Sequence, residues 1–286
     1  MENKEKNIRA VDGTKLYVRT WKPNGITTAH LFLIHGFSEH SGRYEAWIKR
    51  FVENNIKVST MDLRGHGRSS GRRGHTPTYN HLLDDIETLI KHEGLENDVP
   101  RFLYGQSLGG SLVLNYGIRR SARLKGIIAT SPWLRLSTEP RALGLFLARG
   151  LKIIAPELVR DSKLDVNYLS HDRNIIEQYE EDSLIHRQIT PSLFFNARKA
   201  GERAIKEISG IKLPVLLMHG TGDKITSFKA SEELVKNAKD TGVDIRFISW
   251  DGLYHELHHE YEKDKVFRAI MNWVSEKAKN RHYEII

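Results

Sequence analysis

The chain has 286 residues, 39% hydrophobic and 28% charged, with 44 Lys and Arg against 36 Asp and Glu and no cysteine. A chain of this length buries about three quarters of its unfolded surface, which implies one large α/β domain or two smaller ones. The absence of cysteine excludes a disulfide framework, a zinc ribbon, an iron–sulfur cluster and a thiol nucleophile. The net charge of +8 admits an anionic partner, nucleic acid or a lipid surface, without choosing between them.

In chain order, Met1 to Asn7 is polar and lacks the apolar stretch of a secretory signal. Ile8 to Val11 and Lys15 to Trp21 read as an antiparallel hairpin around Asp12-Gly13, a strong two-residue turn signal. There follow a strand at Ala29 to Ile34, a helix at Tyr44 to Asn55, a strand at Lys57 to Met61 and a helix at Tyr79 to His92. In that helix Leu82, Leu83, Ile86, Leu89 and Ile90 recur at the spacing of one buried face. Arg101 to Tyr104 (strand), Leu108 to Arg120 (helix) and Leu124 to Thr130 (strand) continue the alternation. It stops from Trp133 to about Gly210, which shows no convincing strand and reads as short helices with polar joints. It resumes with Val215 to Met218 (strand), Ser227 to Asp240 (helix), Asp244 to Trp250 (strand) and His259 to Lys279 (helix). The alternation predicts stacked βαβ units and a mostly parallel sheet with helices on both faces. Residues 1–132 and 211–286 then form one core domain, and 133–210 a helical insertion after the sixth strand. No apolar run approaches the ~20 residues of a bilayer span, so a cytoplasmic protein, at most peripheral at membranes, is expected.

Gly105-Gln106-Ser107-Leu108-Gly109 places Gly-x-Ser-x-Gly between a predicted strand and a predicted helix, the context that motif requires. A nucleophile on so sharp a turn has little room around it, and Gly105 and Gly109 supply room by lacking a side chain. The helix behind Ser107 favours developing negative charge at its N-terminus. A serine hydroxyl needs a base, and the base an orienting carboxylate, each in a loop at the C-terminal end of a strand. Asp223 follows the strand at Val215 to Met218 between glycine-rich neighbours, and His255 follows the strand ending at Trp250. His258 and His259 are rivals for the base; His255 is favoured because it comes first after the strand. The two N–H donors of an oxyanion hole are expected from Leu108, after the nucleophile, and Phe37, in the loop after Ile34. His35 then has a structural task in that loop.

These residues carry a resemblance. His35-Gly36, the run Asp62 to Ser69, Gly105 to Gly110 and the Asp223 and His255 loops resemble the α/β-hydrolase superfamily. The run Gly36 to Tyr44, with Tyr254 to Glu260, is similar to the monoacylglycerol lipase and lysophospholipase family. The resemblance implies an α/β-hydrolase fold, a cap over the site and hydrolysis of single-chain acyl esters through an acyl-enzyme. It also implies that Glu39, Arg43 and His258 meet the alcohol part of the substrate. Glu39 and Arg43 are four apart and can pair on one helical turn, which by itself reads as a surface ion pair. Ser38 stands where the family more often has glycine, and Gln106 where it has histidine.

Pro140 to Ile154 supports a lipid-like substrate independently, since Leu143, Phe146, Leu147, Leu151 and Ile154 share one face of a helix, with Arg141, Arg149 and Lys152 mostly toward the other side. Such a helix can rest transiently on a membrane or pack inward on the core. The charge excess lies in residues 1–132, with 20 basic and 13 acidic residues, and Arg64, Arg68, Arg72 and Arg73 suggest a local patch. The expected partner is a small acyl ester. No metal or cofactor is called for, and no nucleic-acid motif is present. A peptidase, an acyltransferase and a non-catalytic binding protein are the rival readings.

Overall fold

The computed structural model describes residues 1–93, 99–120, 123–140 and 149–279. Its centre is an eight-stranded sheet of β1 (Glu2–Arg9), β2 (Lys15–Lys22), β3 (Ala29–Ile34), β4 (Ile56–Met61), β5 (Arg101–Gln106), β6 (Gly126–Thr130), β9 (Val215–Gly220) and β10 (Ile245–Trp250). The spatial order is β1-β2-β4-β3-β5-β6-β9-β10. β1 pairs antiparallel with β2, and β2 with β4; every other pairing is parallel. Gly13 adopts φ 84° at the tip of the β1–β2 hairpin, the left-handed turn that Asp-Gly encodes.

Both faces of the sheet are covered, which is why β3 and β5 are buried at every position instead of alternating. Phe32 and Ile34 of β3 pack into one apolar core, Leu31 and Leu33 into the other, as the two-residue repeat of a strand requires. The first core is closed by α2 (Tyr79–His92), α3 (Leu108–Arg119), α5 (Pro191–Lys206) and α6 (Phe228–Asp240). The second is closed by α1 (Glu45–Glu53) and α7 (Lys263–Lys279).

Between β6 and β9 the chain leaves the sheet. This stretch includes α4 (Arg173–Glu181) and α5 together with two short strands that the sequence does not reveal, β7 (Arg160–Asp161) and β8 (Gln188–Ile189), paired antiparallel. Strands of two residues are too short to show a period, so their pairing was invisible. Of the helix expected at Pro140 to Ile154, residues 141–148 lie outside the described residues. Residues 149–154 are helical, with Ile153 and Ile154 82% and 84% exposed.

Two further expectations are corrected. His259 does not open the last helix; Leu257–His259 is a single 3-10 turn, and α7 starts at Lys263. The Glu260 carboxylate takes the Tyr254 N–H at 2.7 Å and the His171 ring at 3.0 Å, which holds the chain in a turn. Three members of the expected arginine patch are engaged by neighbours, while Arg73 keeps a buried nitrogen with no hydrogen-bond partner among the described residues. Arg64 is buried between Asp85 and Asp12 at 2.6 and 2.7 Å, Arg68 meets Tyr17 at 2.8 Å, and Arg72 meets Glu157 at 3.2 Å. Among the described residues no helix is long and apolar enough to cross a membrane.

Candidate active site

Ser107 sits between β5 and α3 with φ 54° and ψ −116°, a backbone that side-chain-bearing residues rarely adopt. The turn is held by Ser107 N–H to the Thr130 carbonyl at 3.0 Å and Trp133 N–H to the Ser107 carbonyl at 2.8 Å. The glycine requirement is literal: a Cβ on Gly105 would collide with the Gly109 carbonyl, and one on Gly109 with the carbonyls of Ile34 and His35. The same close approach brings the loop after β3 to the nucleophile, since a Cβ on Gly36 would lie 3.1 Å from that of Ser107.

The loops after β9 and β10 nest into each other, with Gly220 and Gly222 facing the carbonyls of Leu253 and Gly252. This nesting brings Asp223 and His255 together. Asp223 is buried and acceptor-only when ionised, so its neighbours must donate. One carboxylate oxygen accepts the N–H groups of Ile225 (2.7 Å) and Thr226 (3.0 Å). The other accepts His255 Nδ1–H (2.8 Å), His219 Nε2–H (3.0 Å) and the Thr226 hydroxyl (2.8 Å). Burial alone would push the Asp223 pKa up, but the charges and hydrogen bonds of His255 and His219 hold it well below the usual carboxylate range. Burial likewise opposes protonation of His255, yet the Asp223 charge outweighs it and raises the ring above its ordinary 6.5. With Nδ1 donating to Asp223, Nε2 is left as the proton acceptor. The His255 loop is clamped from the β6–β9 connection, through His255 N–H to Tyr168 O (3.2 Å) and Glu256 N–H to Leu169 O (2.8 Å).

Leu108 N–H opens α3, where no intrahelical acceptor exists, and Phe37 N–H meets no protein acceptor among the described residues. His35 is engaged twice, at Nδ1 with the Gly36 carbonyl (2.7 Å) and at Nε2 with Leu63 N–H (2.8 Å), so it is unavailable as a base.

Ser107 and His255 line one cavity of about 280 Å³ with Phe37, Trp133, Leu169, Phe194 and Ile225 on its apolar walls. Of the three residues expected at a polar end, Glu39 lines the cavity, whereas Arg43 and His258 lie outside its lining. Glu39 and Arg43 do pair, at 2.6 Å, but in the interior rather than on the surface. The reason is Glu256, which Arg43 grips with two nitrogens at 2.6 and 2.7 Å. Glu256 also lines the cavity, and the sequence reading passed over it. Its position directly after the candidate base was the one available signal. His258 stacks on Tyr44, with ring centroids 4.6 Å apart, and burial together with the nearby His259 pushes its pKa well below 6.5.

His219 was also missed; its ring bridges Asp223 and the Ser231 hydroxyl (2.8 Å), and its place at the end of a strand four residues before Asp223 was the clue. Glu256, His258 and His259 bring possible metal-ligand atoms within 4.8 Å of one another. Both Glu256 oxygens already face the Arg43 guanidinium, so a cation stands there without a metal.

The arrangement, a serine on a strained turn, an imidazole oriented by a carboxylate and two N–H groups without protein acceptors among the described residues, all beside an apolar cavity, can serve acyl transfer from a serine nucleophile. Residues 25–262 match the family described as "Serine aminopeptidase, S33". The chain is 34% identical, over 99% of its length, to an abhydrolase domain-containing protein of Dictyostelium discoideum, and spans 30% of that protein. It is 29% identical to the monoglyceride lipase of Homo sapiens, covering 93% of this chain and 89% of that one. A crystal structure of a monoacylglycerol lipase from Paleococcus ferrophilus superimposes with a TM-score of 0.84 at 33% identity, covering 92% of this chain and 99% of that one.

Proposed function

The chain belongs to the α/β-hydrolases, in the family described as serine aminopeptidase S33, and is monoacylglycerol lipase-like; from that premise we propose that it hydrolyses single-chain acyl esters, monoacylglycerols foremost, with Ser107, His255 and Asp223 as its catalytic triad. The observation that carries the reading is the 2.8 Å His255–Asp223 contact beside the strained Ser107 turn, on one apolar cavity. Ser107 Oγ attacks the ester carbonyl while His255 Nε2 takes its proton. The tetrahedral oxyanion lies between the N–H groups of Phe37 and Leu108. His255 then returns the proton to the departing alcohol, and water repeats the sequence on the acyl-enzyme.

The apolar walls suit an acyl chain. Glu39, at the polar end, accepts the hydroxyls of the alcohol, with Arg43 balancing its charge and Tyr44, on which His258 stacks, holding its position from behind. Residues 133–210 act as a cap, and the exposed Ile153 and Ile154 give it a transient contact with a lipid surface.

The test is a hydrolysis panel of monoacylglycerols of several chain lengths, lysophosphatidylcholine, triacylglycerol, p-nitrophenyl butyrate and aminoacyl p-nitroanilides. Monoacylglycerol turnover that vanishes in Ser107→Ala is expected. Turnover confined to the anilides, or an active Ser107→Ala, would overturn the proposal.

A further inference from the structure

Ser38 directly follows Phe37, and its backbone stands in the left-handed region at φ 73°, where a side chain carries a cost that glycine avoids. Ser38 is fully buried, and its hydroxyl and carbonyl both reach one remote stretch of chain. The hydroxyl donates to the His186 carbonyl and accepts from the Tyr179 phenol at 2.9 Å. The carbonyl accepts the His186 N–H at 3.2 Å. Tyr179 lies on α4, and His186 two residues before β8. Contacts on either side repeat the link: the His186 ring meets Phe37 edge-on at 5.8 Å, and His40 pairs with Asp182 at 2.7 Å.

The N–H of Phe37 belongs to the same peptide plane as the Gly36 carbonyl. His35 fixes that plane from the core through its 2.7 Å bond to the carbonyl. Among the described residues the next peptide, Phe37 C=O and Ser38 N–H, has no hydrogen-bond partner, and the bonds of the Ser38 hydroxyl and carbonyl to residues 179–186 hold the chain immediately beyond it. An oxyanion donor contributes in proportion to how well it is aimed before the charge develops. We propose that Ser38 is a positioning residue: through its hydroxyl, the segment 179–186 straps the oxyanion loop, so the Phe37 donor, held on one side by His35, keeps its full aim while that segment is docked. This rests on the reading of Phe37 as an oxyanion donor. It also accounts for a serine in a backbone conformation that glycine adopts more easily, because the hydroxyl is the part in use.

The experiment compares Ser38→Gly, Tyr179→Phe and the double variant on p-nitrophenyl butyrate, a short ester that makes little demand on the acyl walls. Ser38→Gly relieves the backbone and removes the hydroxyl's bonds to the strap while the backbone bond to His186 stays, and Tyr179→Phe removes one of those hydroxyl bonds while keeping the ring. Losing an oxyanion donor outright costs about 10²–10³ in kcat, so loosening one is expected to cost roughly 5- to 30-fold. Each single variant should lose kcat on that scale for Ser38→Gly, and less for Tyr179→Phe, with KM within twofold. The double variant should be no slower than Ser38→Gly, since both changes cut one device. The inhibition constant of butylboronic acid, which makes a tetrahedral anion on the serine, should weaken in step with kcat. A kcat within twofold of the parent in Ser38→Gly, losses that multiply in the double variant, or a change in KM alone would overturn the strap. Ser107→Ala separates the two claims. An active Ser107→Ala defeats the site reading itself, whereas an inactive one beside an unimpaired Ser38→Gly defeats only the strap.

Discussion

Asp223→Asn is the most informative single change, because the hydrogen bonds around the carboxylate determine how the amide must lie. Five donors converge on Asp223. Those on one oxygen, the N–H groups of Ile225 and Thr226, are backbone and cannot turn away. Those on the other can adjust: the Thr226 hydroxyl has the Ser131 carbonyl at 3.2 Å as a second acceptor, and His219 can move its proton to Nδ1, against Ser231. The amide nitrogen is therefore forced to the adjustable side, facing His255. There it donates to Nδ1, so the His255 proton moves to Nε2, the atom that must accept from Ser107. Retained geometry with the wrong tautomer predicts a loss of about 10⁴ in kcat, the size found for the equivalent change in a serine protease. The stability loss should be only about 1–2 kcal/mol, as most donors find other partners.

The pH profile adds a signed test. In the parent, Asp223 raises the pKa of His255, so kcat/KM rises with pH through a limb above 6.5, where the ring becomes a free base. In the variant that charge is gone while burial remains, so the acid limb of the residual activity should move to lower pH than in the parent. Stopped assays on p-nitrophenyl butyrate from pH 5 to 9, with urea unfolding as the fold control, measure both. A kcat within tenfold of the parent, or an acid limb that does not move down, would refute the reasoning.

Arg43→Ala leaves Glu39 and Glu256 buried without their shared cation, and a loss of about 3–5 kcal/mol in urea unfolding is expected, with Arg43→Lys intermediate because an ammonium cannot bridge in two-pronged fashion. Gly109→Ala drives a methyl group into the backbone at the end of β3 and should cost about 3 kcal/mol or more together with activity, whereas Gly242→Ala meets open space and should cost about 1–2 kcal/mol for its left-handed backbone alone. His255→Ala should abolish ester turnover, while His258→Ala should retain turnover and alter the preference among alcohols; equal losses in a steady-state comparison would put the base assignment at His258 back in play.

Much of the sheet was legible because its signals are local. Ala29 to Ile34 and Arg101 to Tyr104 are apolar runs bounded by turn residues, and the Asp12-Gly13 turn needs no distant partner to be read. The Gly105 to Gly109 turn was legible for a similar reason, since its steric demand lies within five residues and the chain meets it there. The stretch between β6 and β9 resisted reading because its order comes from contacts far apart in sequence, such as Arg160 against Ile189 and Ser38 against His186.

By itself, then, the amino-acid sequence determined the alternation of strands and helices and the Gly-x-Ser-x-Gly turn, and, by lacking cysteine, it excluded a thiol in place of the candidate serine. Spacing can encode these because they depend on backbone sterics and on periods of two and 3.6 residues. Tertiary structure alone decided which charges are paired and which face the cavity. Arg43 left the surface because Glu256, more than two hundred residues away, reaches it, and within the expected arginine patch Arg64 was spent on Asp12 and Asp85 and Arg72 on Glu157. Electrostatic partners are chosen by proximity in space under low dielectric, and no local pattern carries that information.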